Sequence, residues 1–158
     1  MRHAFCLGIV ALMTATAIPA AAQSSVPLEL TGYVEQETVT TDDAGHPKAE
    51  RVEPAVVVPG DKLIFGTRFA NNGTVPIERF VVSNPVPATV RVMSEIDPSV
   101  LVSVDGGTGW GKLAELEIAD AGGARRPAQL DDITHVRWVL PRIAPGETGK
   151  VEFPVTVR

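Results

Sequence analysis

Apolar residues in this chain recur at every second position, in short runs. The clearest run is Leu63, Phe65, Thr67 and Phe69, set between Lys62, Ile64, Gly66, Arg68 and Ala70. A period of two with aromatics on one side predicts a half-buried strand. The residues before it, Pro59-Gly60-Asp61, predict a type II turn, because proline presets φ and glycine is free to take φ > 0. Asn71-Asn72-Gly73-Thr74 follows as a reversal signal, since Asn and Gly tolerate left-handed backbone. Val75 and Ile77 resume the pattern, and Phe80-Val81-Val82 form a second apolar run. Pro85 and Pro87 cannot donate to a ladder, so residues 84–87 are expected to leave the sheet or follow an edge.

The same reading extends to both sides. Leu28 to Thr40 reads as a first strand, with Leu28, Leu30 and Val34 alternating with polar neighbours and Gly32 marking a bulge. Residues 41–47 are turn chemistry. Lys48 to Val58 returns as strand with Pro54 interrupting it, so the two segments predict a hairpin added to the main sandwich. Thr89 to Met93 is short and alternating, Asp97-Pro98 opens a turn, and Val100, Val102 and Val104 share a strand face closed by Asp105-Gly106-Gly107. Lys112 to Ile118 fits a strand or a short helix. Ala119 to Asp132, with Gly122-Gly123, Arg125-Arg126 and Pro127, reads as a surface loop. Val136, Trp138 and Leu140 alternate until Pro141 stops them. Pro145-Gly146-Glu147 repeats the earlier turn, and Val151, Phe153, Val155 and Val157 alternate to the end, Pro154 pointing to an edge or a bulge. Seven to nine short strands without a convincing helix predict an all-β antiparallel sandwich. Trp138 is the strongest core candidate, and its indole N–H is expected to find a carbonyl.

The start of the chain changes the picture. Arg2 and His3 precede an almost wholly apolar run from Ala4 to Ile18, Pro19 breaks it, and Ala20-Ala21-Ala22 offers a small-residue cleavage site. This is the pattern of a secretory signal cut after Ala22, and the run is short of the ~18–20 residues a membrane helix needs. The expected organisation is a signal peptide over 1–22, an N-terminal strand and hairpin extension over 23–51, and the sandwich over 52–158. The one cysteine, Cys6, leaves with the signal, so the mature chain is held by packing without disulfides. A net charge of −5 argues against general nucleic-acid binding. The expected location is the periplasm or the extracellular space, with no transmembrane helix in the mature chain.

Candidate chemistry is sparse. His46 lies in a turn, and His135 lies on the strand face opposite Val136, facing solvent. Neither sits in a nucleophile or metalloprotease motif. Asp42-Asp43 and Asp131-Asp132 are adjacent pairs, and neighbours on a strand point apart. Without an EF-hand spacing they read as solvated loop acids rather than a Ca²⁺ site. Two histidines and Met93 are a thin basis for copper. Asn72-Gly73-Thr74 matches a glycosylation acceptor but is already explained as a tight turn, and Arg125-Arg126 is a small basic spot in a loop. No catalytic, cofactor-binding or metal-ligating residue is assigned.

The ordered set of Pro59-Gly60-Asp61, the strand Leu63 to Phe69, Asn71 to Thr74, Asn84-Pro85-Val86-Pro87, the Trp138 strand and Pro145-Gly146-Glu147 resembles a known pattern. It is similar to the conserved-repeat β-sandwich domains of bacterial envelope and surface proteins, the DUF-eleven type. The resemblance covers about Val52 to Val157. Asn84 stands where that pattern has an aspartate, and Leu28 to Lys48 adds a hairpin. The resemblance implies an immunoglobulin-like fold outside the cytoplasm with no catalytic residues to carry over. The expected function is a non-catalytic exported envelope protein, structural or protein-binding. It would contact another envelope protein through an edge strand or loops, with the Leu28–Val58 hairpin and the Ala119–Asp132 loop as candidate surfaces. An assembly chaperone or secretion accessory is the alternative, ahead of a small metal-binding protein or hydrolase.

Overall fold

The computed structural model describes residues 27–97, 99–119 and 122–158. The leader expected at 1–22, with Cys6 and the cleavage site, and Pro98 of the Asp97-Pro98 turn lie outside them. The described residues form ten strands: β1 (Leu28–Thr41), β2 (Pro47–Val52), β3 (Lys62–Asn71), β4 (Ile77–Pro85), β5 (Val90–Val92), β6 (Leu101–Ser103), β7 (Glu117–Ala119), β8 (Arg125–Pro127), β9 (His135–Ile143) and β10 (Thr148–Val157). Two isolated 3₁₀ turns, Leu113–Glu115 and Leu130–Asp132, are the only helical pieces among them. The fold is all-β, as the period of two predicts, and every pairing is antiparallel.

One sheet runs β2-β1-β3-β10-β5 and a second runs β4-β9-β6, with β7-β8 as a small ribbon. The two larger sheets share a core. Leu63, Phe153 and Val155 come from the first, Val102 and Val136 from the second. Phe153, Val136 and Val155 are wholly buried. Burying such side chains contributes about 1.5–3 kcal/mol each. Phe65 meets Phe153 edge-on at 5.8 Å, and Trp138 of β9 tilts against the same ring at 5.9 Å. Trp138 is thus a flank of the core and Phe153 its centre. The Trp138 indole N–H finds no carbonyl among the described residues and is not sealed from solvent. The core forms where β9 of the second sheet faces β10 of the first, with Phe153 between Trp138 and Phe65.

The two Pro-Gly-acid turns share one construction. In Val58 to Asp61 the Asp61 N–H donates to the Val58 carbonyl at 3.1 Å, and the Asp61 carboxylate accepts the Val58 N–H at 2.9 Å. In Ala144 to Glu147 the corresponding bonds are 3.0 and 2.6 Å. Gly60 and Gly146 take φ of 94° and 74°, which is why glycine stands there. The second turn is fastened to the first sheet by Asn71. Its backbone exchanges bonds with Glu147 and Gly146, and its fully buried side chain donates to the carbonyls of Val75 and Ile143 at 3.0 and 3.1 Å. Its Oδ1 accepts the Gly73 N–H at 3.0 Å. The residue that reads as a turn former is therefore a clamp joining three segments.

Prolines and loops account for the departures. β2 ends at Val52, so the expected strand to Val58 is cut short before Pro54. Pro141 does not stop β9, which continues to Ile143. β6 pairs only Arg137, Val136 and His135, so β9 has no neighbour on that side at Pro141. Next to the break, Arg79 takes a left-handed φ of 52°. Pro154 lies in an interior strand, opposite Ile64, yet its carbonyl accepts from Met93, just past the end of β5. Its missing donor thus falls where the neighbouring strand has left. Val104 lies outside β6. Lys112 to Ile118 divides into a 3₁₀ turn and the start of β7, and the expected loop over 119–132 folds back as β8 and a second 3₁₀ turn.

Candidate functional site

The polar residues singled out from the sequence do not converge. His46 lies 3.6 Å from Asp42 on the exposed β1–β2 turn, where the Asp42 carboxylate accepts the N–H groups of Ala44 and His46. Asp131 faces Arg158 at 3.0 Å and Arg91 at 3.8 Å, while Asp132 takes a two-pronged bond from Arg126 at 2.8 Å on each nitrogen. Arg126 and the Gln129 N–H hold the Asp132 carboxyl below the usual range. Arg125 faces Glu117 across the β7–β8 ribbon at 3.5 Å. Among the described residues no three His, Cys, Asp or Glu side chains come together as metal ligands.

His135 departs from the solvent-facing expectation. It is half-buried, edge-on to Trp110 at 6.2 Å, with Nδ1 3.2 Å from the Thr134 hydroxyl. The cover is the glycine-rich stretch 104–111, which folds over the outer face of the second sheet. Asp105 organises it. Its carboxylate accepts from Ser103 Oγ at 2.7 Å and from the N–H groups of Thr108 and Gly109, and the Gly109 bond foremost holds its pKa down. Trp110 donates its indole N–H to the Gly107 carbonyl at 2.8 Å, and Arg137 stacks 3.5 Å above its ring. Ser103, Asp105 and His135 are the residue types of a hydrolytic triad without its wiring. The serine is fully buried and bonds the aspartate directly, and the histidine bonds Thr134. The run GGTGWG reads as a turn, and nothing local signals that Trp110 returns to β9.

The outer face of the first sheet carries a second polar constellation. Tyr33 on β1 lies flat over Gly66 on β3, where a Cβ would collide with its ring. Its hydroxyl reaches across to Glu152 on β10 at 2.6 Å. Glu152 also accepts from Arg51 and Lys150, and Arg68 stacks on the Tyr33 ring while bonding Glu35 at 2.5 Å. Burial, then the bond to Glu152, pushes the Tyr33 hydroxyl well above the usual phenol range. Burial alone would raise Glu152, but the Lys150 and Tyr33 bonds and the nearby cations outweigh it and hold its carboxyl low. These ion pairs satisfy one another, so the face is a stabilised surface.

What the fold leaves open is backbone. The first half of β1 pairs with β3, but Glu37 to Thr41 pairs only with β2, giving a projecting two-stranded ribbon. All of β2 is exposed, and Val39 is 74% exposed. A ribbon of two strands is marginal by itself in water. β4 is a long terminal strand of the second sheet, with Val81 and its cross-strand partner Val139 about half exposed on the outer face. None of the helical pieces is long and apolar enough to cross a membrane. The chain matches no known family, curated protein or solved structure.

Proposed function

We propose that the protein is a non-catalytic, exported envelope module of the DUF-eleven type, with an immunoglobulin-like sandwich that binds another envelope protein. The observation that carries this reading is the pair of open strand edges, on the β1–β2 ribbon and on β4. An unpaired edge offers N–H and C=O groups at strand spacing, the physical basis of β-augmentation. The apolar leader followed by Ala20-Ala21-Ala22 supports export to the periplasm or beyond. Among the described residues, the arginines and acids singled out from the sequence pair with one another.

The test is a pull-down from the native envelope fraction with the chain Gln23 to Arg158, read by mass spectrometry. A matched variant carries proline at Ala49 and Glu50 in the β1–β2 ribbon. A specific partner whose capture depends on an edge supports the reading. A purified protein that turns over substrate, or carries stoichiometric metal and captures nothing, refutes it.

A further inference from the structure

We propose that the seam between β4 and β1 is an acceptor groove for one extended strand of a partner protein; this rests on the binding-module reading and adds to it the site and the form of the partner.

The sheets are unequal, and the surplus lies on one side. β4 sits opposite β3, where Thr67 Oγ1 donates to Asn84 Oδ1 at 3.0 Å. β9 sits opposite β10, where Trp138 meets Phe153. β1 is the next strand out beyond β3, and among the described residues the second sheet has no strand opposite it. Leu30 records the consequence. It pairs with Phe69 and so points to the core side, yet it is 48% exposed where Phe69 is 8% exposed. A cleft of about 580 Å³ opens at this seam, lined by Val34, Phe65, Pro54, Asn84 and Pro85.

On the second sheet the cleft is walled by the end of β4, at Asn84 and Pro85, from which the open edge of that strand runs on. Every second residue along a strand edge directs its N–H and C=O away from its one neighbour. A chain laid along β4 would become the fourth strand of the second sheet, about 4.8 Å from β4 and about 10 Å below β1. It would satisfy the β4 edge and cover Leu30 and Val34 in one step. Leu30 and Val34 are an even number of residues apart on one face, so they call for apolar side chains at alternate positions of the occupant.

The overhang also selects what fits. Antiparallel pairing of β4 with β4 of a second copy has its two-fold axis perpendicular to the sheet. Both first sheets would then lie on the same side, and the copy's β3 would fall where β1 already is. A lone strand fits where a second folded domain does not. Glu53 lines the cleft and has no ion pair among the described residues, so the occupant is expected to carry a base at that end.

The probe is a synthetic peptide as long as β4, with an N-terminal or C-terminal lysine and alternating valine and threonine. It is added to the isotope-labelled chain Gln23 to Arg158, with amide hydrogen exchange followed by NMR. The expected result is slowed exchange at alternate amides of 77–85 and at least tenfold weaker binding by Leu30→Lys. Glu53→Arg should reverse the preference from lysine-ended to glutamate-ended peptide, a readout that does not depend on the Leu30 variant folding. Absence of binding, protection at β2 or β5 amides instead, or concentration-dependent protection of β4 without peptide would overturn the proposal. Any of these, with a pull-down partner still lost on changing the β1–β2 ribbon, would reject the groove while leaving the binding-module reading intact.

Discussion

Replacing Asn71 with alanine tests whether the corner of the sandwich is held by one side chain. The substitution removes two donors, to Val75 and Ile143, and the acceptor of the Gly73 N–H. The backbone bonds of Asn71 to the 144–147 turn remain. A net side-chain hydrogen bond contributes about 1 kcal/mol, and a buried group left unpaired costs about 1–3 kcal/mol. The site is fully buried in the native chain; the Gly73 and Val75 groups lie in a turn that water can reach after truncation, while Ile143, at the end of β9, is itself buried. The expected loss is therefore about 3 kcal/mol rather than the sum of three full penalties. Urea unfolding followed by tryptophan fluorescence and circular dichroism measures it, and with a slope of about 1.5–2 kcal/mol/M the midpoint falls by about 1.5–2 M. Asn71→Asp keeps the size and the acceptor but loses the donors and buries a charge. That charge raises the folded-state pKa, so Asn71→Asp should regain stability as pH falls and the carboxyl protonates. A loss below 1 kcal/mol for Asn71→Ala, or an Asn71→Asp variant more stable at pH 7 than at pH 4 relative to the parent, would refute the clamp.

Other consequences are as direct. Gly66→Ala should destabilise by about 2 kcal/mol because a methyl group enters the Tyr33 ring, and in a Tyr33→Ala background the cost should largely vanish, which a double-mutant cycle in urea measures. Tyr33→Phe should lose about 1 kcal/mol by removing the bond to Glu152. The Tyr33 hydroxyl has its folded pKa raised, so its contribution is complete below the ordinary value of 10.0 and disappears as pH rises through the folded value; thermal melts of parent and Tyr33→Phe should converge at high pH. Glu152 has its pKa lowered, so its contribution is complete above 4.5 and is lost as pH falls through the folded value, and the melting difference between parent and Glu152→Gln should shrink on acidification. Asp105→Asn should speed exchange at the Thr108 and Gly109 amides and move Trp110 fluorescence, leaving β3 and β10 amides unchanged.

The long strands are legible in the sequence because one local rule fixes each of them. Alternation places Leu63, Phe65 and Phe69 on one face of β3, and Pro-Gly followed by an acid marks where β3 and β10 begin. What local pattern cannot supply is the neighbour. Pro141 and Pro154 look like strand breakers until it is known that β6 and β5 stop short of them. The 119–132 stretch looks like a loop because its pairing is specified by register with Glu117 to Ala119, not by periodicity. Asn71 carries the composition of a turn and the burial of a core residue. The candidate sites follow the same division. The hairpin surface is readable from Leu28 to Val52, whereas the Trp110 cover depends on the 104–111 stretch returning over β9, and the exposed Leu30 on the second sheet ending before the first.

β1 and β10 both pair with β3, on opposite sides and both antiparallel to it, so they run parallel to each other. Leu28 lies level with Asn71 at one end of β3, and Val157 lies at the other end, beside Asp61. A tension applied between Leu28 and Val157 would therefore act along the strands. It would load both ladders in shear, each spanning about 30 Å, and every rung would have to yield nearly together. The same bonds peeled from one end would break one at a time. The order of strands thus makes the first sheet a tension-bearing element between those two points, while the β1–β2 ribbon, beyond Gln36, lies outside that path.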